Sequence, residues 1–185
     1  MRIIGGSGRG RVIRSAKGRA MRPTAARVRE TLFNLIGPDI AGCRFLDLCA
    51  GSGSVGIEAL SRGAAEAVFV DSHATAVSLM RRNLADLGFD HRATVLKRDA
   101  CGALDHLGRK GVFFHVAFLD PPYDSGVAAG CLRSRKWLDM MAPRSRIFVE
   151  HRSGSVWPPP PGWRIVDSRK FGETALTVFR GDSQE

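Results

Sequence analysis

A chain of 185 residues, 44% hydrophobic and 25% charged, can bury a core without metal or disulfide staples and has room for one domain with a short appendage. No apolar run approaches the roughly 18 residues a membrane span needs, and Met1-Arg2-Ile3-Ile4-Gly5-Gly6 lacks the apolar stretch of an export signal, so a cytoplasmic protein is expected. The formal net charge of +10 is unevenly placed: residues 1–29 hold nine basic groups and no acidic one, while residues 30–185 hold 19 basic and 18 acidic groups. Eight of the nine are arginines, whose planar fork suits phosphate. No amphipathic apolar stripe accompanies the first of them, so nucleic acid is the expected partner and a membrane surface is not.

Short β-branched runs at 2–4 and 11–14 flank a glycine-rich stretch, the pattern of a hairpin or an extended arm. Pro23-Thr24 then opens a helix, with Thr24 as its N-cap, and Val28, Leu32, Leu35 and Ile36 form one apolar stripe at helical spacing. Gly37-Pro38 closes it and sets a boundary: residues 1–38 read as a basic extension, 39–185 as the main domain. From residue 44 strands and helices alternate. Strands are expected at 44–49, 67–71, 93–97, 115–119 and 146–150. Helices are expected at 54–62, 73–87, 101–107 and 127–138. Strands buried on both faces and joined by helices make a parallel α/β sheet. Trp157 leads into a four-proline stretch that reads as a stiff connector. The runs 163–169 and 174–179 then alternate polar and apolar around Phe171-Gly172, as a hairpin closing the sheet antiparallel.

Gly51-Ser52-Gly53-Ser54-Val55-Gly56 is formally G-x-G-x-x-G between a strand and a helix, with Asp71 ending the next strand 20 residues on. Alone, this fits NAD and S-adenosylmethionine equally. Asp47, inside the first strand, would sit badly beside a pyrophosphate but suits the cationic amino group of S-adenosylmethionine. Asp71 and Asp99, each closing a strand, can take the ribose hydroxyls and the adenine amino group. The expected cofactor set is Asp47, Ala50, Gly51, Ser52, Gly53, Asp71, Ser72, Asp99 and Ala100.

The fourth strand runs into Asp120-Pro121-Pro122-Tyr123. An exocyclic amine on a nucleobase is a poor nucleophile because its lone pair is delocalised into the ring. Acceptors that hold its N–H groups orient that lone pair and stabilise the positive charge that builds during methyl transfer. The Asp120 carboxylate is one such acceptor and the Pro121 carbonyl another, with Pro121 and Pro122 fixing the turn. Tyr123 offers a face for a flipped base. The residues alone therefore indicate a nucleic-acid amino methyltransferase and leave guanine or adenine, RNA or DNA, open.

Taken together the motifs resemble the bacterial 16S rRNA guanine-N2 methyltransferase family, the type acting on nucleotide 966 of small-subunit RNA. The resemblance spans nearly the whole chain. It rests on residues 2–6, Arg22-Pro23-Thr24, 27–34, 45–48, 50–54, 56–64, Asp120-Pro121-Pro122-Tyr123 and Gly172-Glu173-Thr174. Phe171 and Glu173 stand where the family usually has Tyr and Asp. It implies a Rossmann-like class I methyltransferase fold, S-adenosylmethionine as cofactor, and a monomer acting on 16S rRNA in the small subunit or a late assembly particle. It places RNA contacts on the N-terminal extension, for which Arg2, Arg9, Arg11, Arg22, Thr24, Arg27 and Arg29 are the candidates.

Other readings explain less. A DNA adenine-N6 methyltransferase would use the same tetrapeptide, but the chain is short for that role, with no obvious sequence-reading domain beyond the first 40 residues. A non-catalytic assembly factor would have no use for the four acids. An NAD-dependent oxidoreductase leaves the tetrapeptide and the basic extension without a purpose. Cys43, Cys49, Cys101 and Cys131 form no CxxC pair, and the five histidines show no metal-ligand spacing, so free thiols and no metal are expected. His151 follows Glu150 beside the site, where a structural role is expected.

Overall fold

A computed structural model describes residues 1–15, 23–123 and 125–181, with the backbone alone for 23–25. Its helices are α1 (Pro23–Ile36), α2 (Ser54–Ser61), α3 (Ala74–Leu87), α4 (Ala100–Arg109), α5 (Val127–Leu132) and α6 (Lys136–Met140). Its strands are β1 (Arg44–Leu48), β2 (Glu66–Asp71), β3 (Ala93–Lys97), β4 (Phe114–Leu119), β5 (Met141–Arg152), β6 (Trp163–Phe171) and β7 (Thr174–Gly181). They form one sheet in the order β3-β2-β1-β4-β5-β7-β6. The first five are parallel, and β7 and β6 add antiparallel. This bears out the expected parallel sheet with a closing hairpin. Strand order reverses between β1 and β4, which opens a crevice at their carboxyl ends where α/β sheets bind ligands.

Side chains alternate across the strands. Phe45 and Phe148 join a core with Ile57, Phe69 and Met80 on one face, while Leu46, Leu48, Ile147 and Val149 join Leu104, Trp137 and Met140 on the other. Among the described residues of 1–38, the buried apolar side chains, Ile3 and Ile13 from the hairpin and Val28, Leu32, Phe33 and Ile36 from α1, join the first of these cores. Arg146 on β5 donates to the carbonyls of Leu35 and Ile36 and pairs with Asp39, tying the end of α1 to the sheet and placing a cation where the helix dipole is negative.

Three local expectations change. Helix α1 starts at Pro23, so Thr24 lies inside it and is not the N-cap; proline tolerates the first position because the N–H it lacks has no helical partner there. The helix expected over 127–138 is two, α5 and α6, broken where Ser134 Oγ accepts the Lys136 N–H and the Trp137 indole takes the Cys131 carbonyl. Strand β5 begins at Met141 despite Pro143, which falls in a register shift opposite Phe114–Val116, where a missing N–H costs the ladder little. Among the described residues no helix is long and apolar enough to cross a membrane.

Candidate active site

The acids singled out in the sequence gather at the carboxyl edge of the sheet. Asp47, on β1 and only 1% exposed, accepts the Gly56 N–H of α2 at 2.8 Å. Burial, reinforced by the charges of Asp120 and Asp71 and opposed by the Gly56 hydrogen bond, pushes its pKa up to about 7. Asp71 ends β2, where its carboxylate accepts the Gly51 N–H and the His73 N–H, each at 2.9 Å. Ser72 is exposed and its hydroxyl lies 3.2 Å from His73 Nδ1. Asp99 falls two residues beyond β3 rather than closing it, and caps α4 by accepting the Gly102 N–H at 2.7 Å. Ala100 is buried at the start of that helix.

Between β1 and α2 the chain turns through left-handed backbone at Gly51 (φ 57°) and Gly53 (φ 77°). Gly56 is needed for packing: a Cβ there would lie 2.3 Å from Phe69 Cε1. Cys49 also holds a left-handed φ of 61°, a conformation that side-chain-bearing residues adopt at a cost. Burial first, and then the charge of Asp120, push its thiol up to about 12. The Ala50 N–H pairs with the Val70 carbonyl, and the Ser52 carbonyl accepts from Asn83 Nδ2.

The three glycine amides of this motif are engaged within the chain. A dinucleotide site needs loop amides aimed at the pyrophosphate. Here the amide of Gly51 goes to Asp71, that of Gly56 to Asp47 and that of Gly53 to the Ala50 carbonyl. What remains is a glycine cradle rimmed by carboxylates, which suits S-adenosylmethionine, with its two cationic centres and ribose hydroxyls.

Asp120 leaves β4 one residue beyond the Leu119–Val149 pairing and beside the end of β1, its N–H 3.3 Å from the Leu48 carbonyl. Asp120 is exposed and Pro121 after it is buried. Next to it a cleft of about 210 Å³ is lined by Pro121, Pro122, Tyr123, Ser125, Glu150, His151, Arg152 and Trp157, among others. The Tyr123 and Thr174 hydroxyls lie 2.8 Å apart, and the Arg152 guanidinium sits 5.8 Å from the centre of the Tyr123 ring. His151 does border the cleft, edge-on to Trp157 at 4.9 Å. Its Nδ1 can only donate to the Arg152 carbonyl, and its Nε2 faces the Thr177 hydroxyl, each at 2.8 Å. Burial lowers its pKa, with the Arg152 hydrogen bond opposing, and both ring nitrogens are held by the fold. A larger cleft, about 430 Å³, lies at the amino ends of β4 and β5 around His115, Arg144 and Arg146. None of the carboxyl-edge acids lines it, so chemistry rather than volume places the site.

The basic candidates divide. Arg22 lies outside the described residues, and of Thr24 only the helical backbone is described. Arg9 and Arg27 are exposed. Arg2 donates to the Gly10 carbonyl, and Arg11 to the carbonyls of Asp86 and Leu87 at the end of α3. Arg29 is a correction: it is 5% exposed and spends its guanidinium on the Arg2 carbonyl and Met1 Sδ. Burial pulls its pKa below the usual guanidinium value, with Glu58 opposing. Its guanidinium ties α1 to the hairpin through the Arg2 carbonyl instead of facing solvent. The sequence reading also missed Glu150 and Trp157 in the cleft, and Glu58 and Asn83 beneath the hairpin.

A family model described as conserved hypothetical protein 95 matches residues 1–180. The chain belongs to that family. The ribosomal RNA small subunit methyltransferase D of Escherichia coli K12 is 34% identical over 188 residues, covering 100% of this chain and 91% of that protein. The protein of the same name from Haemophilus influenzae is 31% identical, covering 97% and 93%. The solved structure of Escherichia coli yhhF superposes with a TM-score of 0.85 at 33% identity, covering 100% of this chain and 99% of that one. The fold is that of the class I S-adenosylmethionine-dependent methyltransferases, and the resemblance to small-subunit rRNA methyltransferases holds.

Proposed function

We propose that the chain transfers a methyl group from S-adenosylmethionine to the exocyclic N2 of a guanine in 16S rRNA, acting as a monomer in the cytoplasm on assembled or late-assembly small subunits. The observation that carries this is the placement of Asp120 at the switch point of the sheet, beside the glycine cradle on one side and the Tyr123 cleft on the other. The names borne by full-length relatives agree with it. When bound, S-adenosylmethionine supplies an electrophilic methyl on a sulfonium. Asp47 would hold its cationic end, Asp71 its ribose and Asp99 its adenine, and the glycine loop would leave room for it beside the backbone. In the cleft, Tyr123 stacks the flipped base, and the Asp120 carboxylate with the Pro121 carbonyl accepts its amino hydrogens. The exposed Asp120 carboxylate then takes the proton the nitrogen loses and passes it to water.

Asp120→Ala is expected to lower turnover by about 10²–10³ with S-adenosylmethionine binding retained, the scale of removing one preorganised transition-state interaction. Near-normal turnover would remove Asp120 from the chemistry. Mapping the methylated nucleotide on rRNA from cells lacking the protein tests the substrate, because the predicted guanine should be the position left bare.

A further inference from the structure

The tetrapeptide explains how an amino group is held but not which base carries it, since adenine, cytosine and guanine all have one. The cleft beside Asp120 is lined by a carboxylate of its own. Glu150 follows Val149 on β5 as Asp120 follows Leu119 on β4, and Leu119 and Val149 are register partners, so the two acids stand side by side at the sheet edge. Glu150 lines the cleft with Tyr123 and is half-buried. Among the described residues none donates a hydrogen bond to its carboxylate, in contrast to Asp47, Asp71, Asp99 and Glu58, each of which accepts a backbone N–H. A desolvated carboxyl beside another acid is unfavourable unless a donor meets it. Burial and the nearby Asp120 accordingly push its pKa up to about 8.

The bases differ at the ring atom next to the amine. In adenine the amino group is flanked by N1 and in cytosine by N3, both bare acceptors. In guanine alone it is flanked by a ring N–H. We propose that Glu150 is the specificity-determining residue of the cleft, accepting the N1–H of the target guanine while Asp120 accepts from its N2 amine. Two adjacent carboxylates then meet three contiguous N–H donors. The ionised form, which an N1–H donor favours, repels the lone pair that adenine or cytosine would place there. The inference rests on the guanine-N2 reading and adds to it a residue chosen by geometry rather than by family likeness.

The test uses 2-aminopurine, which keeps the 2-amino group of guanine but has a bare N1. Small subunits are reconstituted with guanine or 2-aminopurine at the target nucleotide, and kcat/KM for methyl transfer is measured with the full-length protein and with Glu150→Gln and Glu150→Met. The wild type is expected to prefer guanine by at least about 10²-fold, because a site built around a donor rejects an analogue lacking it. Glu150→Gln, which keeps an acceptor oxygen, should retain the preference within about tenfold. Glu150→Met should lose it almost entirely while binding S-adenosylmethionine normally by calorimetry. A wild type indifferent to the two bases, or a Met variant that still discriminates, overturns the proposal alone. Methyl found by mass spectrometry at any atom other than guanine N2 overturns the underlying reading, and the proposal with it.

Discussion

The Tyr123 hydroxyl lies 2.8 Å from the Thr174 hydroxyl, joining the last residue of the Asp-Pro-Pro-Tyr turn to the first residue of β7. The antiparallel hairpin thus does more than close the sheet, for it sets the tilt of the ring on which a base would stack. Tyr123→Phe keeps the ring and loses the tether, whereas Tyr123→Ala loses both. Stacking on an aromatic face contributes roughly 1–3 kcal/mol per base, so Tyr123→Ala should reduce kcat/KM about 10- to 100-fold. Tyr123→Phe should stay within a few-fold. Single-turnover methylation of undermodified small subunits checks both, and equal losses would show that the tether matters more than the ring.

Glu58 governs how the hairpin is attached. Its side chain is fully buried and accepts the N–H groups of Ile4 and Gly5, each at 2.8 Å, while Arg62 pairs with it at 2.8 Å and the buried Arg29 lies 3.9 Å away. Removing a buried partner leaves a cation and two amides unsatisfied, which typically costs about 3–5 kcal/mol. Glu58→Ala should lower the urea midpoint accordingly and expose residues 1–15 to limited proteolysis before the rest of the chain unfolds. Loss of stability without early cleavage would mean that the hairpin is held by Ile3 and Ile13 instead.

Much of the fold and site was legible in the sequence because it is encoded locally. Each parallel strand is an apolar run that ends near a glycine or an acid, and each candidate acid sits at or just past such an end, so Asp47, Asp71, Asp99 and Asp120 could be found without coordinates. Glu58, Asn83 and Glu150 could not. Asn83 bonds to Arg14 and Ser52, 69 and 31 positions away, and nothing near it in sequence announces either partner. Glu150 became visible only once the pairing of β4 with β5 put it beside Asp120. The charge count erred for a related reason. It located the excess in residues 1–29 but could not tell that Arg29 faces inward, because burial of an arginine depends on a carboxylate supplied from α2.

That division predicts a split among the arginines. Replacing Arg9 and Arg27, both exposed, with alanine should weaken binding to small subunits at low salt. It should also reduce the slope of log K against log salt by about one for each phosphate no longer neutralised. Arg29→Met should leave the slope unchanged and lower the unfolding midpoint. Binding isotherms between about 50 and 200 mM salt distinguish the two behaviours, since phosphate binding weakens steeply over that range. A reduced slope in Arg29→Met would return that residue to the interface.

If Asp47 meets the cationic end of S-adenosylmethionine as proposed, cofactor binding should depend on pH. Its carboxyl is held up at about 7 by burial, with the charges of Asp120 and Asp71 adding and the Gly56 hydrogen bond opposing. A cationic ligand favours the ionised form, so binding below pH 7 must release a proton, and affinity for S-adenosylmethionine should rise with pH up to about 7 and then level off. The ligand-free protein should behave in the opposite sense. A carboxyl whose pKa is higher folded than unfolded keeps its proton in the native state between roughly pH 4 and 7, so stability falls as pH rises through that window. Asp47→Asn retains an oxygen for the Gly56 N–H and removes the titrating group. Both trends should therefore flatten, and affinity at pH 8 should drop with the lost charge. Calorimetry at pH 6 in two buffers of different ionisation enthalpy measures the proton release directly. Equal heats in the two buffers would mean that Asp47 is already ionised before the cofactor arrives.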